Sequence, residues 1–220
     1  MNYKHFHRLV SASQRPVILL EGTRALPDQD RATLTGFGQA LAEKYPHARF
    51  RTGNAEGADE AFAAGVKAVD PSRLEYVLPY ARHRKEKMDA SSYQLSLAEV
   101  PHAAEERAVY HTTKASPEYA TMIEKRHLVP LLRAKSRYIL RDTVKVIGAA
   151  EAGLAPATAG IFYVNAAEPA KGGTGHTVRV CRNHAVPVAM QAEWTTWPVA
   201  PPRHTKTHGS AAAAAQELAP

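Results

Sequence analysis

Val17-Ile18-Leu19-Leu20 is an unbroken apolar run, and it constrains the fold more than any other stretch of the chain. A strand without polar alternation needs cover on both faces, which is the condition of a central strand in a parallel sheet. The run stops at Glu21-Gly22-Thr23-Arg24. A helical segment follows from about Asp28 to Tyr45, with Asp28 or Asp30 as its cap and Pro46 as its end. The order then repeats. Ala48 to Arg51 is β-like and breaks at Gly53, after which Ala58, Ala61, Phe62, Gly65, Val66 and Val69 fall on one face of a second helix. Leu74 to Leu78, closed by Pro79, is a third strand.

Three strands joined by two helices, at about 25 to 30 residues per unit, give the βαβαβ rhythm of a doubly wound sheet. The predicted fold class is α/β: a Rossmann-like, three-layer open sheet, mostly parallel, with helices on both faces. Residues 80–115 hold few bulky apolar groups and a basic patch (Arg82, His83, Arg84, Lys85, Lys87), and are read as an insertion or lid-like excursion. Ser116-Pro117-Glu118 is a helix start, with a hydroxyl cap, proline at the first position and an acid in the first turn. From there a long or broken helix runs to about Arg141, bent or restarted at Pro130. Val144 to Ile147 is either a short strand or the tail of that helix.

Ile161-Phe162-Tyr163-Val164 is another central strand. A second glycine-rich turn, Lys171 to Thr177, opens a helix carrying Val178 and Cys181 on one face. A strand from Val186 to Met190 follows, and Trp194 and Trp197 pack the end of the domain. Residues 1–15 are expected to form a polar N-terminal arm, residues 16–200 the folded domain, and residues 201–220, with five alanines in a row, a disordered tail.

With 220 residues, 45% of them hydrophobic, the chain suits one sizeable α/β domain. Its net charge of +7 favours phosphate-bearing partners without separating a nucleotide from a nucleic acid. One cysteine, Cys181, excludes an internal disulfide framework and fits a reducing cytoplasm. No apolar run approaches the roughly 18 residues of a membrane span. The eleven histidines show no metal-ligand spacing, so neither a metal nor a cofactor is expected.

In an open parallel sheet, ligands bind beyond the carboxyl ends of the strands, where strand order reverses. Three turns leave strands at that end: Gly22-Thr23-Arg24, Gly53-Asn54-Ala55-Glu56-Gly57-Ala58-Asp59, and Gly172-Gly173-Thr174-Gly175-His176-Thr177. Free N–H groups at the helix starts favour an anion, above all a phosphate. Arg24 has the guanidinium geometry to hold phosphate bidentately. Glu21, at the end of an apolar strand, is either a strand-end acid paired with Arg24 or a group that accepts a ribose hydroxyl or acts as a general base. His176 is the other candidate for proton transfer, or else a capping histidine. Arg126, Arg133, Arg137 and Arg141 fall on one helical stripe, either a solvated face or a phosphate- or nucleic-acid-facing edge.

These three turns resemble those of the SLOG superfamily of Rossmann-like domains, which includes DprA (SMF) DNA-processing proteins, LOG-type nucleotide phosphoribohydrolases and YspA-type proteins. Gly22-Thr23-Arg24 is similar to the family's G-[ST]-R. Gly53 to Asp59 is similar to G-x-A-x-G-A-D of the YspA-like branch, and Gly172 to Gly175 to its G-G-x-G turn. The resemblance covers roughly residues 16–192 and implies a nucleotide or nucleotide-derived ligand held by Gly22, Thr23, Arg24, Gly53, Asn54, Ala55, Gly57, Asp59, Gly172, Gly173, Thr174, Gly175 and Thr177. Arg141 falls where YspA-like proteins carry an arginine-containing motif. The resemblance, with the segment 80–115, also implies a homodimer, while the expected cytoplasmic location rests on the composition.

LOG-type enzymes carry acids just after the last glycine turn, and Gly172 to Arg179 contains none. The leading expectation is therefore a binder or sensor of the ligand. The alternatives are a nucleotide hydrolase with Glu21, Asp59 or His176 doing proton transfer, and a DprA-like single-stranded-DNA-binding protein using the arginine stripe.

Overall fold

The computed structural model describes residues 1–199. Six strands, β1 (Val17–Gly22), β2 (Arg49–Thr52), β3 (Leu74–Leu78), β4 (Tyr93–Ser96), β5 (Ala159–Tyr163) and β6 (Val188–Met190), form one sheet in the order β4-β3-β2-β1-β5-β6. Every pairing is parallel. The chain steps outward from β1 to β4, then returns to the other side of β1 to lay down β5 and β6. Strand order therefore reverses between β1 and β5, and the crevice beyond their carboxyl ends is the ligand position of a doubly wound fold.

The helices are α1 (Tyr3–Ala12), α2 (Asp28–Lys44), α3 (Ala58–Val69), α4 (His102–Ala115), α5 (Ala120–Glu124), α6 (Pro130–Ile147), α7 (Gly172–Asn183) and α8 (Gln191–Trp194). They cover both faces. Every residue of β1 is buried, as its unbroken apolar run requires. Ile18 and Leu20 join a core with Phe6, Leu34, Phe62 and Trp194 from α1, α2, α3 and α8. Leu19, pointing the other way, packs with Val146, Val178 and Cys181 of α6 and α7. Val77 and Leu95, nearer the β4 edge, meet Ala104, Ala108, Leu140 and Val144 of α4 and α6. This is a Rossmann-like three-layer architecture.

Several local expectations change. Residues 1–15 are no free arm: α1 buries Phe6 and Val10, which sit four residues apart on its inner face. Residues 80–115 are no insertion, because β4 extends the sheet and α4 completes the second helical layer. The α2 start has Pro27 at its cap with no side-chain cap bond, and Asp30 instead accepts from the Tyr163 hydroxyl at 2.6 Å. Ser116 caps nothing either; Pro117–Tyr119 and α5 are short pieces, and the long helix restarts at Pro130. Val144–Ile147 is helical, the last turn of α6. The expected tail, 201–220, lies outside the described residues. Among those residues no helix is long and apolar enough to cross a membrane.

Candidate functional site

The carboxyl ends of β1 and β5 open into a crevice of about 460 Å³. Its floor and walls come from the β1–α2 turn, the start of α7 and one face of α6, and Glu21, Arg24, Arg141, Asp142, Lys145 and Gly173 are among the residues that line it. Tyr138, Arg141, Asp142 and Lys145 stand at i, i+3, i+4 and i+7 along α6, so a single helical stripe delivers all four to the crevice.

Buried charges lie at the bottom. Lys145 Nζ is 2.7 Å from Glu21 Oε1 and 2.8 Å from Asp142 Oδ1, and Arg141 Nε is 2.9 Å from the same Asp142 oxygen. All four side chains are at most 5% exposed. The two carboxylates differ in environment. Asp142 sits between two cations, Lys145 foremost, which outweigh its burial and hold it below the ordinary range. Glu21 has one cation, and its Oε1 contact with Lys145 lacks hydrogen-bond direction. Burial, reinforced by Asp59 and Asp142, wins over Lys145 and raises Glu21 from 4.5 to about 7. Two neighbouring acids with opposite shifts are the pattern of a proton-transfer site. The partner of Glu21 is Lys145, not Arg24.

Lys145 is held in place from behind. Arg51, fully buried on β2, donates through Nη1 to the Lys145 carbonyl at 2.7 Å while its Nε and Nη2 clasp Glu75. A guanidinium at the last turn of α6 also suits the negative end of the helix.

The second glycine turn works mainly as a brace. Asp59 accepts from the Gly22 N–H at 3.0 Å, the Thr52 hydroxyl at 2.9 Å and the Gly53 N–H at 3.2 Å, so one carboxylate ties β1 to β2. Both its oxygens are engaged, though its edge still reaches the crevice wall. Gly57, at φ +78°, leaves no room for a Cβ beneath the carbonyls of Thr23 and Arg24. Asn54, itself left-handed, donates to the carbonyls of His83 and Arg84 at 3.0 and 3.1 Å. Ala55 faces the crevice; Gly53, Asn54 and Gly57 shape it from outside. Gly53 carries the Arg141 guanidinium on its carbonyl.

The third turn is already helix. Gly172, Gly173 and Thr174 form the first turn of α7, whose N–H groups have no intrahelical acceptors and whose cap residue, Lys171, supplies no side-chain bond. These three residues line the crevice, with Thr174 donating its hydroxyl to the Gly22 carbonyl at 3.0 Å. Gly175 and Thr177 are buried inside the helix, away from it. Arg24 is exposed at the rim, its guanidinium 5.7 Å from the centre of the Tyr138 ring.

His176 does not reach the crevice. Its ring is fully buried, with Nδ1 2.7 Å from Ser116 Oγ and Nε2 2.9 Å from Thr143 Oγ1. Ser116 Oγ already accepts from Arg179, so its hydroxyl proton goes to Nδ1, and the neutral ring donates through Nε2. Burial first, and the Arg179 and Lys145 charges after it, overcome Asp142 and lower His176 to about 4. A base held below its unfolded value stabilises the fold above pH 6.5 and loses that contribution as pH falls toward 4. His176→Ala should therefore cost about 1–3 kcal/mol at pH 7, by taking one hydrogen-bond partner from each of two buried hydroxyls. It should also flatten the decline of stability between pH 6.5 and 4, read by urea unfolding. A loss that does not depend on pH would refute the buried neutral histidine.

The arginine stripe is not continuous. Arg126 precedes the break at Pro130 and lies against Glu105 and Glu106, while Arg141 is buried in the crevice. Cys181 is core, its thiol pushed up by burial. Among the described residues, no group of three His, Cys, Asp or Glu could hold a metal. Asp142 and Lys145 are the site residues that the motifs did not announce. No protein-family model matches the chain, and no curated protein matches it.

Proposed function

We propose that the protein binds a nucleotide or nucleotide-derived small molecule in the crevice, as a sensor or binding protein. The carrying observation is the crevice's position and make-up: a switch-point cavity with the open first turn of α7 on one side and a buried, partly unsatisfied carboxylate, Glu21, on the other. The N–H groups of Gly172 to Thr174 suit a phosphate, and Glu21 suits a sugar hydroxyl.

A panel of nucleoside mono- and diphosphates, NAD and ADP-ribose screened by melting shift tests this. At about one hundred times Kd, binding adds about 2.7 kcal/mol, or a shift of about 5–10 °C for a domain this size. Gly173→Val should abolish the shift, because a Cβ there would lie 2.6 Å from Asp142 Oδ2. If no member of the panel moves the melting temperature, the reading is wrong.

A second reading, a nucleotide hydrolase, is favoured by the divergent Glu21 and Asp142 carboxylates. DprA-like DNA binding has lost the arginine stripe on which it rested. Dimerisation stays a proposal; exposed Leu128, Val129 and Leu131 around the start of α6 give it an apolar contact surface, and sedimentation of Leu131→Glu checks it.

A further inference from the structure

Beside the main crevice lies an annex of about 140 Å³, sharing Arg24, Ala55, Tyr138 and Arg141 with it and closed by Glu56, His83 and Arg84. His83 and Arg84 belong to the segment between β3 and β4 and to the basic patch read from the sequence.

The annex is a built feature. Asn54 and Arg84 are both non-glycine residues in the left-handed region, at φ +56° and +49°. Such strain persists only where surrounding contacts impose it. Here the two residues impose it on each other: Asn54 Nδ2 donates to the carbonyls of His83 and Arg84, and Arg84 Nη1 donates to the Asn54 carbonyl at 3.1 Å. Glu60 anchors Arg84 from behind at 3.0 Å. The His83 and Tyr80 rings pack edge-on against Tyr138 and fix the outer wall.

The donors facing this space are incompletely used. Arg24 makes no ion pair among the described residues; its guanidinium rests on the Tyr138 ring instead. Arg141, 4% exposed, gives Nη1 to the Gly53 carbonyl and sets Nε against Asp142 without hydrogen-bond direction. Buried guanidinium donors normally find partners, and planar nitrogen forks match phosphate oxygens. The local potential is positive: after burial itself, Arg141, Arg84 and Arg24 hold His83 down to about 4, with Glu86 opposing them. One acid, exposed Glu56, borders the annex.

We propose that the annex is a second phosphate subsite, so that the ligand is a nucleoside diphosphate or a diphosphate-linked derivative rather than a nucleoside monophosphate. The inference rests on the nucleotide reading of the crevice: one phosphate lies over the first turn of α7, and Arg24, Arg84 and Arg141 take the other. Because Arg24 and Arg141 line both spaces, a diphosphate bridges them without leaving protein donors.

The test is calorimetric titration of the full chain with AMP and ADP, GMP and GDP, CMP and CDP, UMP and UDP, without divalent metal. At least one diphosphate should bind about tenfold or more tightly than its monophosphate, the worth of one or two charge-assisted contacts. Arg84→Gln should reduce that ratio to about threefold or less. His83→Glu, which places a negative charge in the annex, should do the same and serves where Arg84→Gln fails to fold. Equal affinity within every pair overturns the second subsite while leaving the nucleotide reading intact. A ratio unchanged by either folded variant overturns it too, and no binding by any of the eight, with no melting shift from NAD or ADP-ribose, overturns both.

Discussion

Lys145→Met is expected to destabilise the protein by about 3–5 kcal/mol at pH 8, the cost of removing one partner from a buried ion cluster. Methionine keeps the unbranched length of lysine, so little of the loss is packing. What it removes is the cation between Glu21 and Asp142, both within 2.8 Å of Nζ and both buried. Without it, each carboxylate must ionise in a low dielectric or keep its proton. The sign of the pH dependence follows. Loss of Lys145 raises the folded pKa of both acids, and an acid raised on folding costs stability as pH climbs from its unfolded value. The penalty should therefore be larger at pH 8 than at pH 5, by urea unfolding of wild type and variant at both. A further change of Glu21→Gln in the same chain should recover part of the loss, since the acid left without a cation is then neutral while Asp142 keeps Arg141. A penalty under about 1 kcal/mol at pH 8 would mean that the cluster is hydrated rather than buried.

The sheet was legible where its strands are apolar throughout. Val17 to Leu20 and Ile161 to Val164 read as central because both their faces need cover, and they are the adjacent strands β1 and β5 on either side of the switch point. The elements that escaped carry weaker signals. β4 has four residues at a sheet edge, with Gln94 exposed, so it shows no apolar run. α4 packs through Ala104 and Ala108, whose methyl groups give little hydrophobic periodicity. α1 buries only Phe6 and Val10 among histidines and an arginine.

The site divides in the same way. Its glycine turns and Arg24 were visible because they are local: a turn and the helix after it are contiguous in sequence. Glu21 stood out as an acid ending an apolar strand, but the partner that sets its chemistry is 124 residues away, on a helix expected to end near Arg141. Had that helix been carried one more turn, the spacing of Tyr138, Arg141, Asp142 and Lys145 would have marked a polar stripe on an otherwise buried face. The role of His176 was not legible at all, since Ser116 and Thr143, which consume its ring nitrogens, come from other elements.

Glu21→Gln is the variant that separates the two readings of the crevice, and one part of its effect holds under both. Glu21 rises from 4.5 to about 7 on folding, so between those values the native protein keeps a proton that the unfolded chain has released. The Glu21 contribution to stability should therefore decline as pH rises across that window, by on the order of 3 kcal/mol for a group shifted this far. It is opposite in sign to the His176 contribution, so it is read as the difference between wild type and variant. Glutamine cannot titrate, so the decline should be reduced in the variant. An identical pH profile for the two proteins would show that Glu21 is not the buried, proton-holding group described.

The second part is kinetic. If the crevice hydrolyses its ligand, Glu21 is the carboxylate there that burial raises to about 7, and its ionised form is the base that takes a proton from the attacking water. Turnover should then rise with pH through about 7, and Glu21→Gln should lower it by about 10²–10⁴-fold, the usual worth of general-base catalysis, with ligand affinity largely kept. Asp142 cannot substitute, because Lys145 and Arg141 hold it ionised and spent. If the crevice only senses its ligand, the bound nucleotide is recovered intact from wild type and variant alike, and the substitution alters only the pH dependence of binding, by removing the carboxylate that must choose between its proton and a sugar hydroxyl. Product analysis after long incubation of wild type with whichever nucleotide gives the melting shift decides between these outcomes, and Glu21→Gln then shows whether the carboxylate raised by burial is the cause.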